Sequence, residues 1–148
     1  MLVVEQFPGQ VEPADLQGKN ADLLQLTWEQ RRWTRGRFRT LRGRQIALAL
    51  PTGTVLRNGQ ILWLAPEWYL TVEAVPESVL AILPKDYREA LRVAFEVGNR
   101  HFPLAVDGQR LLVPNDSAMT QLLARLGAVW EPFSAVFDPL GCGHQHEH

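Results

Sequence analysis

Cysteine is almost missing from this chain. Cys142 is the only one in 148 residues, which excludes an internal disulfide framework and a closed multi-cysteine zinc site. Lysine is nearly as scarce, with only Lys19 and Lys85. No apolar run is long enough to span a bilayer, so no membrane partner is expected. The stretch Met1–Gln10 has neither a basic start nor a long apolar segment, so no secretory signal is visible and a cytoplasmic protein is expected. Nucleotide signatures are missing too: there is no Walker-type loop and no G-x-G-x-x-G, and Gly36 and Gly43 stand isolated. No G-x-S-x-G places a serine on a nucleophile elbow. Nothing selects one pair of carboxylates, and Cys142 sits in a terminal tail, a poor mount for a held nucleophile. The chain is therefore expected not to be an enzyme.

What is present suffices for a core. Hydrophobic residues make up 46% and charged residues 21%, which sets the chain apart from disordered sequences. Fifteen Lys+Arg against sixteen Asp+Glu give a formal net charge of -1, which argues against a globally basic nucleic-acid binder. The basic residues are nevertheless concentrated. Seven arginines fall within fourteen positions: Arg31, Arg32, Arg35, Arg37, Arg39, Arg42 and Arg44. Trp28, Trp33 and Phe38 are interleaved with them, and no acid occurs between Glu29 and Glu67. Such a stretch suits either a phosphate-rich ligand such as RNA or a strand face that docks on an acidic protein. Because charge elsewhere cancels the patch, protein docking through Arg31, Arg32, Arg35, Arg37 and Arg39 is the preferred expectation, with no nucleic acid as partner.

The two halves of the chain are patterned differently. Up to residue 74, short apolar runs (Leu2–Glu5, Leu23–Leu26, Arg37–Leu41, Gln45–Leu50, Ile61–Leu64, Tyr69–Glu73) alternate with turn signals. Asn58-Gly59 predicts a tight hairpin, since both residues tolerate positive φ. Thr27 is placed to cap one helical turn within Trp28–Trp33. A small sandwich or barrel-like β-domain follows from this. Pro76 marks a linker around Ala74–Glu77.

Beyond it, Val79–Leu83 reads as a strand. Asp86, with Glu89 three residues on, predicts a helix start. Tyr87, Leu91, Ala94, Phe95 and Gly98 recur at helical spacing up to Asn99. Leu104–Val106, the Asp107-Gly108 turn and Leu111–Val113 form a hairpin pattern. Asp116 or Ser117 caps a second helix to about Leu126, with Gly127 at its end. Ala128–Phe133 completes the order β-α-β-β-α-β, the ferredoxin-like unit. The fold class is thus α+β. The expected domains are 1–74 (β-rich, partner-docking), 75–137 (ferredoxin-like) and a histidine-bearing tail, 138–148.

Three of the four histidines, His144, His146 and His148, lie in the last five residues; the fourth is His101. Alternate positions of an extended chain face the same side, so two or three tail imidazoles can meet one ion, with Cys142 and Glu147 as further donors. Imidazole-rich sites suit Ni, Cu and Zn better than Mg or Ca, and do not choose well among the first three. A solvated tail is the bland alternative. His101, just past the predicted helix, would be a poor site alone. A homodimer axis would bring two copies to one ion.

Several of these stretches together resemble the UreE family of urease accessory proteins, which are nickel metallochaperones. They are Leu26–Arg32, Thr34–Phe38 and Leu48–Gly59 in the first half. In the second they are Gly98–Leu104 and Leu126–Ala128, followed by the histidine-bearing end. The most specific pieces are the L-x-L-P-x-G-T-x-L-R-x-G run and G-N-R-H. The resemblance implies a β-domain described as peptide-binding and a ferredoxin-like domain through which the protein dimerises. It implies that His101 pairs across that homodimer to bind Ni(II) as cargo, assisted by His144, His146 and His148. Zn(II) or Cu(II) could enter the same site. The implied partners are the urease apoprotein and the other urease accessory proteins, including the GTPase. Some members carry a histidine where this chain has Glu96, and some a pair near Pro114–Ser117, so secondary metal sites are not expected here. A histidine-tailed zinc or copper buffer and an RNA-binding module remain as alternatives.

Overall fold

Alternation of apolar and polar residues builds the first half. A computed structural model describes residues 1–140, in two units divided between Val75 and Pro76. In the first unit, β1 (Leu2–Val4), β3 (Arg35–Arg39) and β4 (Gln45–Ala49) form one sheet in the order β1-β4-β3. The strands β2 (Asn20–Leu26), β5 (Ile61–Leu64) and β6 (Trp68–Ala74) form another, in the order β2-β6-β5. Each sheet is an antiparallel hairpin extended by a parallel strand on the hairpin's second member: β1 beside β4, and β2 beside β6. Every second residue points inward. Leu24 and Leu26, Ile46 and Leu48, Leu70 and Val72 meet Val4, Leu50, Leu56 and Leu62 in one core. The result is a small β-sandwich.

Three polar residues are buried in that unit, Asp22, Arg31 and Thr40, and Asp22 ties its sheets together. Asp22, on the inward face of β2, has no solvent exposure. Its carboxylate accepts from Thr40 Oγ1 at 2.6 Å, Arg44 Nη1 at 2.8 Å, and the backbone N–H groups of Arg42 (3.0 Å) and Leu23 (2.9 Å). Three of these donors belong to the turn between β3 and β4, so the carboxylate ties one sheet to the other. Arg44 also lies 3.9 Å above the Trp68 ring on β6. Burial alone would push the Asp22 carboxyl up. The four hydrogen bonds outweigh burial and hold it below the usual carboxylate range.

The second unit has the β-α-β-β-α-β order read from the sequence. The strands β7 (Pro76–Ile82), β8 (Ala105–Asp107), β9 (Arg110–Pro114) and β10 (Trp130–Val136) make an antiparallel sheet in the order β10-β7-β9-β8. Counting the second unit's strands one to four, this is the 4-1-3-2 order of the ferredoxin-like unit. Two helices, α2 (Tyr87–Asn99) and α3 (Ser117–Leu126), cover one face. Val93, Val97, Met119, Leu122 and Leu123 pack there against Leu80, Ile82, Leu111 and Val113. Asp86 caps α2 by accepting from the Glu89 N–H, and Asp116 caps α3 by accepting from Ala118 and Met119. After β10 the chain returns to the start of β8, where the Leu140 N–H donates to the Leu104 carbonyl at 2.7 Å.

Two expectations change in the first unit. Asn58-Gly59 does form a turn, closed by Gln60 N–H to the Arg57 carbonyl, with φ 84° at Gly59. It is not a hairpin, because the chain is crossing from the first sheet to the second and its two flanks do not pair. The turn is anchored to β6 instead: Asn58 Oδ1 accepts from the Ala74 N–H, and the Gly59 N–H donates to Val72. A short helix, α1 (Pro13–Leu16), was not expected; Pro13 opens it and Glu12 and Asp15 cap it reciprocally. The turn after Thr27 does form, as a 3-10 segment at Gln30–Arg32, with Thr27 and Gln30 capping each other's N–H groups.

The Asp22 clamp predicts an acid sensitivity. A carboxyl held below its ordinary value of 3.8 stabilises the fold fully above that value. The contribution is lost as pH falls through the depressed folded-state value. Asp22→Asn should remove about 2–3 kcal/mol from the first unit and flatten its stability profile below pH 4. Urea unfolding followed by tryptophan fluorescence measures this, since Trp28, Trp33, Trp63 and Trp68 all lie in that unit.

Candidate functional site

His101 owes its position to the way α2 ends. The Phe102 N–H donates to the Val97 carbonyl at 3.2 Å and the His101 N–H to Gly98 at 3.0 Å. This is a Schellman reversal, and Phe102 joins Val97 in the core beneath it. The reversal needs a left-handed residue, and His101 supplies it with φ 62°. It is the only non-glycine residue with positive φ among the described residues. The end of α3 is an internal control. There the Ala128 N–H donates to Leu123, the Gly127 N–H to Ala124, and Gly127 takes the left-handed position with φ 69°. The same motif uses glycine in one helix and an exposed histidine in the other. A side chain at this position is held against the backbone's preference.

The helix leading to His101 has two apolar stripes, roughly a third of a turn apart. Ala90, Val93 and Val97 face the core. Tyr87, Leu91 and Phe95 are 79, 55 and 68% exposed. Of the recurrence at Tyr87, Leu91, Ala94, Phe95 and Gly98 that marks this helix in the sequence, all but the half-buried Ala94 are exposed, so it traces mainly the outward face. The core stripe went unread because the outward one is stronger.

Other positions of interest are engaged elsewhere. Glu96 is paired with Arg100 at 2.7 Å. Asn115 donates to Ser78 Oγ, and Asp116 is the α3 cap. Among the described residues no three His, Cys, Asp or Glu side chains come together to hold an ion. His144, His146 and His148, with Cys142, lie outside the described residues.

The arginine run divides. Arg35, Arg37 and Arg39 alternate along β3 on the outward face of their sheet, all exposed, and Arg32 is exposed with its guanidinium 5.2 Å from the Trp28 ring centre. Arg31 departs from the expected docking face: it is 5% exposed, and its carbonyl accepts from the Leu56 N–H at 2.7 Å. The 3-10 turn capped by Thr27 rotates it inward while Arg32 stays outside. Met1, Arg37, Phe38, Arg39 and Gln45 line a shallow concavity beside β3.

A β-sandwich followed by an antiparallel sheet under two helices defines a two-domain α+β protein whose second domain is ferredoxin-like. Residues 4–75 match the family model described as UreE urease accessory protein, N-terminal domain, and residues 77–148 match the corresponding C-terminal domain. The chain belongs to the UreE urease accessory protein family. It is 40% identical over 125 residues to the urease accessory protein UreE of Synechococcus sp. (strain JA-3-3Ab), covering 83% of each chain. It is 37% identical over 134 residues to that of Paraburkholderia xenovorans (strain LB400), covering 88% of this chain and 60% of the relative. The UreE of Burkholderia mallei (strain ATCC 23344) is 40% identical over 110 residues, covering 72% and 60%. The chain thus spans 60% of the length of the Paraburkholderia and Burkholderia mallei relatives and 83% of the Synechococcus one.

The left-handed histidine gives a direct test. His101→Gly should leave the fold at least as stable, with a gain of up to about 1 kcal/mol from relieved strain less the added chain entropy of glycine. Gly127→His, at the equivalent position of α3, should cost about 1 kcal/mol. Calorimetric melting of both variants measures the difference. A clear loss of stability in His101→Gly would make the imidazole a structural group.

Proposed function

We propose that this protein is a nickel metallochaperone that carries Ni(II) as cargo to apo-urease during assembly of the urease active site. His101 is the capturing ligand, paired with its symmetry mate across a homodimer and assisted by His144, His146 and His148. The observation that carries this reading is the exposed imidazole held in a glycine conformation at the end of a helix with an exposed apolar stripe. One imidazole makes one bond, and a nickel ion takes several donors. Closing Tyr87, Leu91 and Phe95 against the same stripe of a second copy is an isologous contact, which doubles every residue near the axis. The protein does no chemistry on its cargo and is not an enzyme. Imidazole must be neutral to bind, so capture competes with protons and weakens in acid. The same site would take Zn(II) or Cu(II), since imidazole does not choose well among these ions. The working compartment is the cytoplasm.

Two substitutions separate the metal from the interface. His101→Ala should abolish the tightest nickel site, about one ion per dimer, and leave the dimer intact. Leu91→Asp should dissociate the dimer and lose the tight site with it, while the second unit stays folded because Leu91 is already exposed in the monomer. Nickel titration calorimetry together with light scattering reads both. Tight binding by a monomeric Leu91→Asp protein would remove the axis from the site.

The β-domain is the docking side, used by apo-urease and the other accessory proteins, including the GTPase. Arg32, Arg35, Arg37 and Arg39 supply the charge. Replacing Arg37 and Arg39 together with Glu should reduce co-purification with the urease apoprotein several-fold and leave nickel affinity unchanged. Loss of nickel affinity with docking unchanged would reverse the assignment of the two domains.

A further inference from the structure

The sheets of this protein have several free edges, and most carry a device against pairing with another chain. β1 and β8 are three residues long, and β5 has four with a register shift. β10 carries Pro132. The outer edge of β2 is occupied where Leu41 donates to the Leu23 carbonyl and Arg42 Nε to Ala21. β3 differs. It is five residues long, with no proline and no bulge, and among the described residues it pairs only with β4.

The register shows which backbone groups of β3 are open. Thr40 N–H donates to Arg44, and Leu50 N–H to Thr34. In an antiparallel pair the bonded positions recur every second residue, so Thr34, Gly36, Phe38 and Thr40 face β4. The N–H and C=O groups of Arg35, Arg37 and Arg39 point away from the sheet. These same three residues place their side chains on its outward face, beside Ala49, Ala47 and Gln45. Among the described residues no carboxylate pairs with any of them; Arg39 donates only to the Gly43 carbonyl. Each open backbone pair is thus accompanied by an exposed guanidinium.

We propose that the free edge of β3 takes up an extended acidic segment of a partner protein as an additional strand. Alternate carboxylates, in the pattern acid-x-acid-x-acid, lie against Arg35, Arg37 and Arg39. This rests on the reading of the β-domain as the docking side and specifies what docks there. Directly opposed side chains on one face of an added strand are neighbours, so the spacing of two residues on β3 dictates the same spacing in its partner. Charge also excludes a second copy of this chain: pairing β3 with β3 would set arginine against arginine. The edge therefore refuses self-association and selects for acids, a use of backbone bonds for affinity and side chains for choice.

The test uses the full chain and three synthetic peptides of equal length. One is Thr-Glu-Thr-Glu-Thr-Glu-Thr, one has the same composition with the three glutamates adjacent, and one is the first peptide N-methylated at its glutamates. Amide hydrogen exchange and fluorescence anisotropy are the readouts. The alternating peptide should slow exchange at Arg35, Arg37 and Arg39 about tenfold or more and bind about tenfold tighter than either control. Arg37→Glu should abolish its binding, and added salt should weaken it. Equal binding of all three peptides without amide protection, or no binding of the first at millimolar concentration, overturns the added strand. Failure of the docking reading looks different: the peptide protects the edge, yet the Arg37/Arg39 double variant still co-purifies with urease.

Discussion

The first domain depends on one buried carboxylate. Two three-stranded sheets share one core of leucines, valines and Ile46, so each covers the apolar face of the other. Hydrophobic burial holds them together without fixing how one sits on the other. Asp22 does fix it. Its four donors come from its own strand and from the β3–β4 turn, so the carboxylate is satisfied in only one relative placement of the two sheets. The cost of burying a charge is met by geometry that a slipped sheet cannot supply. β3 inherits its position from this contact, and with it the line of Arg35, Arg37 and Arg39.

The second domain fixes His101, the residue proposed to capture the metal, by a different route. Among the described residues His101 is exposed, and its backbone sets its place. The Schellman bonds from Phe102 and His101 to α2, and Phe102 seated in the core, leave residue 101 one conformation. The imidazole is thus oriented at its root and free at its tip. That suits a group meant to meet something from outside its own domain. A ligand locked by surrounding side chains would be finer in geometry and slower to give up what it holds.

Much of this was legible in the sequence, and the failures share a cause. The second domain was readable element by element because its signals are local: Asp86 and Asp116 as caps, Gly127 as a stop, the Asp107-Gly108 turn. In the first domain the strands were readable, and their partners were not. The pairings of β1 with β4 and of β2 with β6 join segments some forty residues apart or more, and no local pattern encodes them. Asn58-Gly59 was misread for the same reason, since a turn signal does not say which sheet its flanks enter. Arg31 and Arg32 are identical residues in sequence; only the 3-10 turn decides that one is buried. His101 stood out by its neighbours Gly98, Asn99 and Arg100. Its left-handed backbone has no signature in a residue that is not glycine.

The contrast between the two helix ends carries the furthest. A chain selected only to fold has a simple solution at the end of a helix, and α3 uses it with Gly127. At the end of α2 the same hydrogen bonds are made with a residue that fits the conformation less well. The cost, on the order of 1 kcal/mol, falls on a protein whose total stability is only about ten times that. The Tyr87, Leu91 and Phe95 stripe on the same helix is a second departure from the simplest folded solution, since three large apolar side chains are left in water. Both departures lie on one helix and its exit. In the proposed dimer, one contact covers the stripe and brings a partner up to the imidazole. On the proposed reading, one event then relieves the exposed surface and completes the metal's donor set, so metal capture and dimer stability reinforce each other through α2.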